Sequence, residues 1–197
     1  MNKSVEIVKD ILSANPLTGS FVASEFIEKY YGIYLADHKA GNSISGGVFE
    51  QLILIALLKS GLTPVYKQVK LAFVPNVKYD LLLYNKDAPI VISAKTSTRE
   101  RWKQADLEAV ALKYVHRKAE CFLLMYDSAE YNVRKGAGNS YLGIDDFILA
   151  TAPAFDDLIN EMKKKVFTES DTVSIVEDAK KKVVTMGKVT KIYPTLR

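Results

Sequence analysis

Asp80 interrupts the apolar run VKYDLLLY at 77–84, and Lys95 closes a second such run, PIVISAK at 89–95. A carboxylate inside a strand is costly to bury unless a cation or several hydrogen bonds meet it. If the two runs are neighbours in a hairpin, Asp80 and Lys95 meet near one end of it. Ser93 stands two residues before Lys95 and projects from the same strand face. A structural Asp–Lys ion pair would account for these charges by itself. The helix that follows adds a further acid. Arg101, Gln104 and Glu108 stand at spacings of three and four, so they share one face and end it on a carboxylate beside the strands. A solvated surface stripe is the competing reading. A divalent cation would resolve the electrostatics: Asp80 and Glu108 offer hard oxygens of the kind magnesium takes, and the backbone carbonyl of Ala94 is a third. Lys95 beside the attacking water would orient it and favour hydroxide, which suits hydrolysis of a phosphodiester.

The elements that must hold these groups are legible from period and punctuation. SVEIVKDILSA (4–14) and FVASEFIEKYY (21–31) carry apolar residues at helical spacing. A polar loop, DHKAGNSISGG, leads to VFEQLILIALLKSG, a strongly apolar helix stopped by Gly61 and central to the core. PVYKQVKLAFV, VKYDLLLY and PIVISAK then change the period to that of strands, broken at 75–76 and 85–89, which predicts three consecutive antiparallel strands. Ser97-Thr98-Arg99-Glu100 matches a capping box and starts the next helix, ADLEAVALKYVHRKA, in which Leu107, Val110, Ala111 and Tyr114 are the expected sheet-packing side. ECFLLMYD is a fourth strand, and GIDDFILA with PAFDDLINEMKKKV reads as further helix. The order is αβββαβα, an α/β domain whose tail from 168 onward is polar and then basic, with the lysines of KKK at 180–182 as a solvated face.

Composition narrows the chemistry without choosing it. The 197 residues are 48% apolar, enough for one domain with its own core, and the net charge of +4 permits an anionic partner without requiring one. Cys121 is the single cysteine, so neither an internal disulfide nor a cysteine-based zinc site is available. His38 and His116 are not at metal-ligand spacing and read as structural. Glu6, Lys9 and Asp10 break up any signal-peptide core, and LILIALL at 52–58 is too short to span a membrane, which together predict a soluble, cytoplasmic protein.

Asp80 followed by Ser93-Ala94-Lys95, set in an α-β-β-β-α-β order, resembles the PD-(D/E)xK nuclease core, with serine in place of the usual acid two before the lysine. Glu108, thirteen residues after Lys95, sharpens the resemblance, because EcoRII-like and NgoMIV-like type II restriction endonucleases move the missing acid onto the following helix. The resemblance is carried by residues 45–127. It implies a restriction-endonuclease-like fold, a mixed central sheet flanked by helices, and magnesium-dependent cleavage of double-stranded DNA. It also implies that Glu50 in GGVFEQL helps organise the metal site, an exposed helix position being the alternative. Arg99, Glu100 and Arg101 occupy the place of the Arg-acid-Arg cluster that reads CC:GG steps in those enzymes. Arginine matches guanine O6 and N7, and a carboxylate accepts from cytosine N4. Glu100 also serves as the capping-box acid, and both arginines can instead grip phosphates.

A duplex with a palindromic site asks for two copies of the chain, hence a homodimer. A cognate methyltransferase is expected in the host. Tyr30, Tyr31 and Tyr34 form an aromatic cluster whose ordinary role is core packing, with base stacking as the alternative. Trp102 is expected to pack beneath the helix it opens. The competing functions are a structure-selective nuclease of the same fold and a DNA-binding module whose metal site has decayed.

Overall fold

The apolar run at 48–58 forms the centre of α3 (Asn42–Lys59), which is buried on every side from Val48 to Leu58. A helix apolar all round can only lie inside. It ends where expected: the Ser60 N–H donates to Ala56 O, and Gly61 takes φ 89°, a left-handed position that glycine adopts without strain. The helix begins at Asn42, inside the stretch expected as loop. This computed structural model describes residues 2–38, 41–74, 77–96, 101–136, 141–170 and 176–196, without the side chains of Asn42 and Arg101.

Two helices cradle α3. α1 (Lys3–Ala14) presents Ile7, Val8, Ile11 and Leu12 as one buried stripe, and Asn2 caps it by accepting from Ser4 N–H at 3.1 Å. α2 (Ala23–Asp37) buries Phe26, Ile27, Tyr30, Tyr31 and Tyr34, so the tyrosine cluster is core. Their hydroxyls still find partners: Tyr30 donates to Asn15 O at 2.7 Å, and Tyr34 lies 2.9 Å from Ser45 Oγ.

The three predicted strands are β1 (Val65–Val69), β2 (Tyr79–Leu83) and β3 (Ile90–Lys95), antiparallel in sequence, as expected. α4 (Arg101–Val115) then crosses to β4 (Glu120–Met125), which runs parallel to β3. The segment GIDDFILA, expected as helix, instead supplies β5 (Asp146–Leu149), parallel to β4. Phe147 and Ile148 explain the correction: they pack into the cores on opposite faces of the sheet, the period-two pattern of a strand buried on both sides. After α5 (Ser128–Gly136), α6 (Pro153–Met162) and the four-residue α7 (Ala179–Lys182), the tail contributes β6 (Val183–Val184), which pairs with β1 and completes the order β5-β4-β3-β2-β1-β6. α8 (Met186–Ile192) and the turn after it bury Val189, Tyr193 and Leu196, so the basic tail is structural as well as solvated.

α1, α2, α3, α6 and α8 share one face of the sheet and α4 packs on the other. α4 uses a different side than its apolar residues suggest: Trp102, Ala105, Ala109 and Leu112 are buried, while Leu107 and Tyr114 are 67% and 86% exposed. The small alanines let the helix lie close to the strands. Asp106, buried between them, binds the 142–144 backbone and fixes which side turns inward.

Candidate active site

β1 and β2 break their own alternation on the same rung. Along β2, Leu81 and Leu83 pack on the α3 side and Leu82 on the α4 side, yet Tyr79 also joins the α4 side. Along β1, Val65 and Tyr66 face opposite ways, yet Val69 lies on the side of Tyr66. The register is conserved through this slip, with Lys67 opposite Leu81 and Val69 opposite Tyr79, so Gln68 faces Asp80 across the ladder. Gln68 takes φ 53°, a left-handed backbone that costs a non-glycine residue roughly 1–2 kcal/mol. The slip places polar side chains at the end of an otherwise apolar sheet.

Asp80 is the hub. Its Oδ2 accepts from Lys95 Nζ at 2.9 Å and from the Ala94 N–H at 3.0 Å, and its Oδ1 accepts from Gln68 Nε2 at 3.2 Å. The hairpin thus brings Asp80 and Lys95 together as the sequence predicts, with both side chains about one-fifth exposed (17% and 23%). Ser93, two residues back, is buried.

Two glutamates approach this hub from opposite faces of the sheet. Glu50, on α3, is buried, and its Oε2 accepts from Gln68 Nε2 at 2.7 Å. Burial pushes its carboxyl above the usual range; Lys67 opposes the shift and Asp80 adds to it. Lys67 Nζ lies 3.4 Å from Glu50 Oε1 but donates to Gln51 Oε1 at 2.7 Å. Glu50 Oε1 is therefore buried with a charged neighbour and no hydrogen bond. Glu108, on α4, is half-buried and accepts from Gln104 Nε2 at 2.8 Å, so these two residues share a helix face as expected. Burial raises its pKa as well, Gln104 and Lys95 pull it down, and Asp80 pushes it up. Tyr79 Oη donates to the Glu108 carbonyl at 3.2 Å, tying that helical turn to the strand residue before Asp80.

Under-compensated carboxylates of this kind are suited to a divalent cation. Among the described residues no three of His, Cys, Asp and Glu are gathered into a finished cage. Gln68, Lys95 and Gln104 hold the acids instead. The ligands expected from the sequence, Asp80, Glu108 and the Ala94 carbonyl with Glu50 to organise them, would offer oxygen donors only, the type that magnesium takes.

Arg99, Glu100 and the capping box lie outside the described residues, and of Arg101 only its backbone, opening α4, is described. Trp102 packs edge-on to Phe147 of β5, with the Arg134 guanidinium 5.0 Å from its ring. A cavity of about 460 Å³, lined by Tyr31, Ser45, Thr96 and Tyr126 among others, opens on the α2–α3 side at the carboxyl ends of β3 and β4. Lys67 and Gln68 are the site residues that sequence reasoning did not single out. Their signal was a polar pair in the middle of the strand PVYKQVKL.

The helix before the sheet, the antiparallel three-strand run, the crossing helix and the parallel fourth strand define a restriction-endonuclease-like fold. The chain is similar to a solved structure described as the restriction endonuclease PspGI in complex with substrate DNA, with a TM-score of 0.53 and 16% identity over 98% of this chain and 92% of that one. At that identity the likeness speaks for the fold. No family model and no curated protein sequence matches the chain.

Proposed function

We propose that this chain is a magnesium-dependent type II restriction endonuclease, a site-specific deoxyribonuclease that hydrolyses double-stranded DNA and leaves 5′-phosphate and 3′-hydroxyl ends. The observation that carries the reading is the Asp80–Lys95 pair at the β2–β3 end, flanked by Glu108 and Glu50 with carboxyl pKa values raised by burial. Asp80, Glu108 and the Ala94 carbonyl would hold magnesium, with Glu50 organising the site. When bound, the ion supplies charge stabilisation at the phosphate and a more acidic water. Lys95 holds its ammonium at the strand end, where it neutralises Asp80 and orients the water for in-line attack. Ser93 leaves room for the acid supplied by α4.

Reading and cutting are coupled by proximity. Arg99, Glu100 and Arg101 follow Lys95 by a few residues and precede Glu108 in sequence, so the segment between strand and helix would enter the major groove while the strand end meets the backbone. The expected site contains CC and GG steps. A homodimer supplies one centre per strand, and the exposed Leu107, Val110 and Tyr114 give α4 an apolar face at helical spacing that a second copy would cover. The working place is the cytoplasm, with a cognate methyltransferase protecting the host DNA.

Digestion of a sequenced phage DNA with the purified protein and magnesium tests this reading. Discrete ends sharing a short motif are the expected result. Random nicks, or cleavage confined to branched DNA, would favour a structure-selective nuclease, and binding without cleavage would favour a catalytically inactive DNA-binding module.

A further inference from the structure

We infer that Gln68 is a positioning residue that sets Asp80, the proposed ligand of the divalent cation, against Glu50, which organises the site. Three independent features of the chain meet at this side chain. Its backbone is left-handed inside a strand, which few side chains other than glycine adopt. It lies opposite Asp80 on the rung where both strands lose their alternation. Its amide donates to Glu50 Oε2 and to Asp80 Oδ1.

The chemistry of the group suits that task. A primary amide has two N–H donors, and here each meets a carboxylate oxygen; ionised carboxylates only accept, which fixes the nitrogen rather than the oxygen between them. An uncharged bridge holds the two carboxylates together without adding a positive charge of its own. A lysine in the same place would compete with the ion. Lys67 stands next in sequence, yet its ammonium donates to Gln51. The left-handed turn lets consecutive residues reach Glu50 and Gln51 in the middle of α3, where regular alternation would send one of them to the other face. Strain kept at such a point is explained by the contact it makes possible.

The inference rests on the nuclease reading only for the identity of the metal site, and it is measurable without DNA. Glycine at this position relieves the backbone and deletes the bridge, so stability and metal binding should move in opposite directions. The Gln68→Gly protein should melt no lower than wild type and bind Mn2+, followed calorimetrically with the metal alone, on the order of tenfold to a hundredfold more weakly, the usual loss when a group supporting a metal ligand is removed. Gln68→Asn keeps an amide and a residue tolerant of the left-handed region but is one methylene shorter; it should fold and show a comparable loss. In single-turnover cleavage both variants should need more magnesium to reach a plateau. If both bind Mn2+ as tightly as wild type, Gln68 is not a positioning residue. A Gly variant that melts well below wild type while the Asn variant keeps full affinity would make the contact structural. Wild-type protein that binds no Mn2+ at all would overturn the metal-site reading and this inference together.

Discussion

Asp106 and Asp80 are both aspartates set among apolar neighbours, and the molecule treats them in opposite ways. Asp106 Oδ1 accepts from the backbone N–H groups of Leu142, Gly143 and Ile144 at 3.0, 2.7 and 3.0 Å, and its Oδ2 takes the Leu142 N–H at 2.9 Å. Every one of those donors is fixed by the chain. A side chain on Gly143 would collide with the backbone of α4, its Cβ coming within 2.3 Å of Val110 N, so the loop lies as close as it can. Asp80 receives one backbone N–H and the ends of two long side chains, Lys95 and Gln68. A carboxylate closed by main-chain donors is a structural rivet. One held mainly by side-chain donors, beside two glutamates whose pKa values burial raises, is the kind expected at a site that takes a ligand.

The largest separation between these two sites should come from removing their partners. Lys95→Ala should reduce single-turnover cleavage on the order of a thousandfold, with duplex binding in calcium retained. Its stability should stay within about 1 kcal/mol of wild type, because Asp80 keeps the Ala94 N–H and Gln68. Near-normal cleavage would take Lys95 out of the mechanism. Asp106→Ala should do the reverse: a loss of roughly 3 kcal/mol in urea unfolding, since it leaves three backbone donors without their charged acceptor. An unchanged urea midpoint would remove the contrast.

The smallest effect is a difference in pH dependence. The folded pKa of Glu50 lies above its ordinary value of 4.5, so the folded chain binds more protons than the unfolded chain in that window. This group's contribution to stability is therefore present below the ordinary glutamate range and is lost as pH rises through its folded value. Metal-free Glu50→Gln protein should be the more stable of the two at neutral pH, and its advantage should shrink as the solution is acidified toward the ordinary range. Parallel stability curves in metal-free buffer would mean that Glu50 is as well compensated as Asp106.

The sequence was informative wherever one residue type at one spacing decides the outcome. Gly61 ended α3, the interrupted strands paired, and Asp80 met Lys95 because a hairpin leaves them little choice. It was less informative where two periods compete. GIDDFILA has enough apolar residues for a helix or a strand, and only burial on both faces selects the strand. On α4 the larger apolar residues suggested the inner face, but the close approach of Ala105 and Ala109 and the anchoring of Asp106 turned them outward. The slip at Gln68 could not be read at all, because a left-handed glutamine is dictated by its partners across the sheet and on α3 rather than by its own neighbours in sequence.

Glu108 matters most, since its place on α4 distinguishes this site from an ordinary Asp–Lys ion pair. Glu108→Ala removes the carboxylate without disturbing the helix, alanine being the best helix former, and the Tyr79 contact survives because it reaches the Glu108 carbonyl. The direct test is single-turnover cleavage of duplex DNA in magnesium by this variant, alongside circular dichroism to show that it is folded. The expected result is a folded protein in which magnesium-dependent cleavage is nearly eliminated. Cleavage at the wild-type rate would contradict the assignment of Glu108 as the acid displaced from the position of Ser93, and most of the functional reading with it.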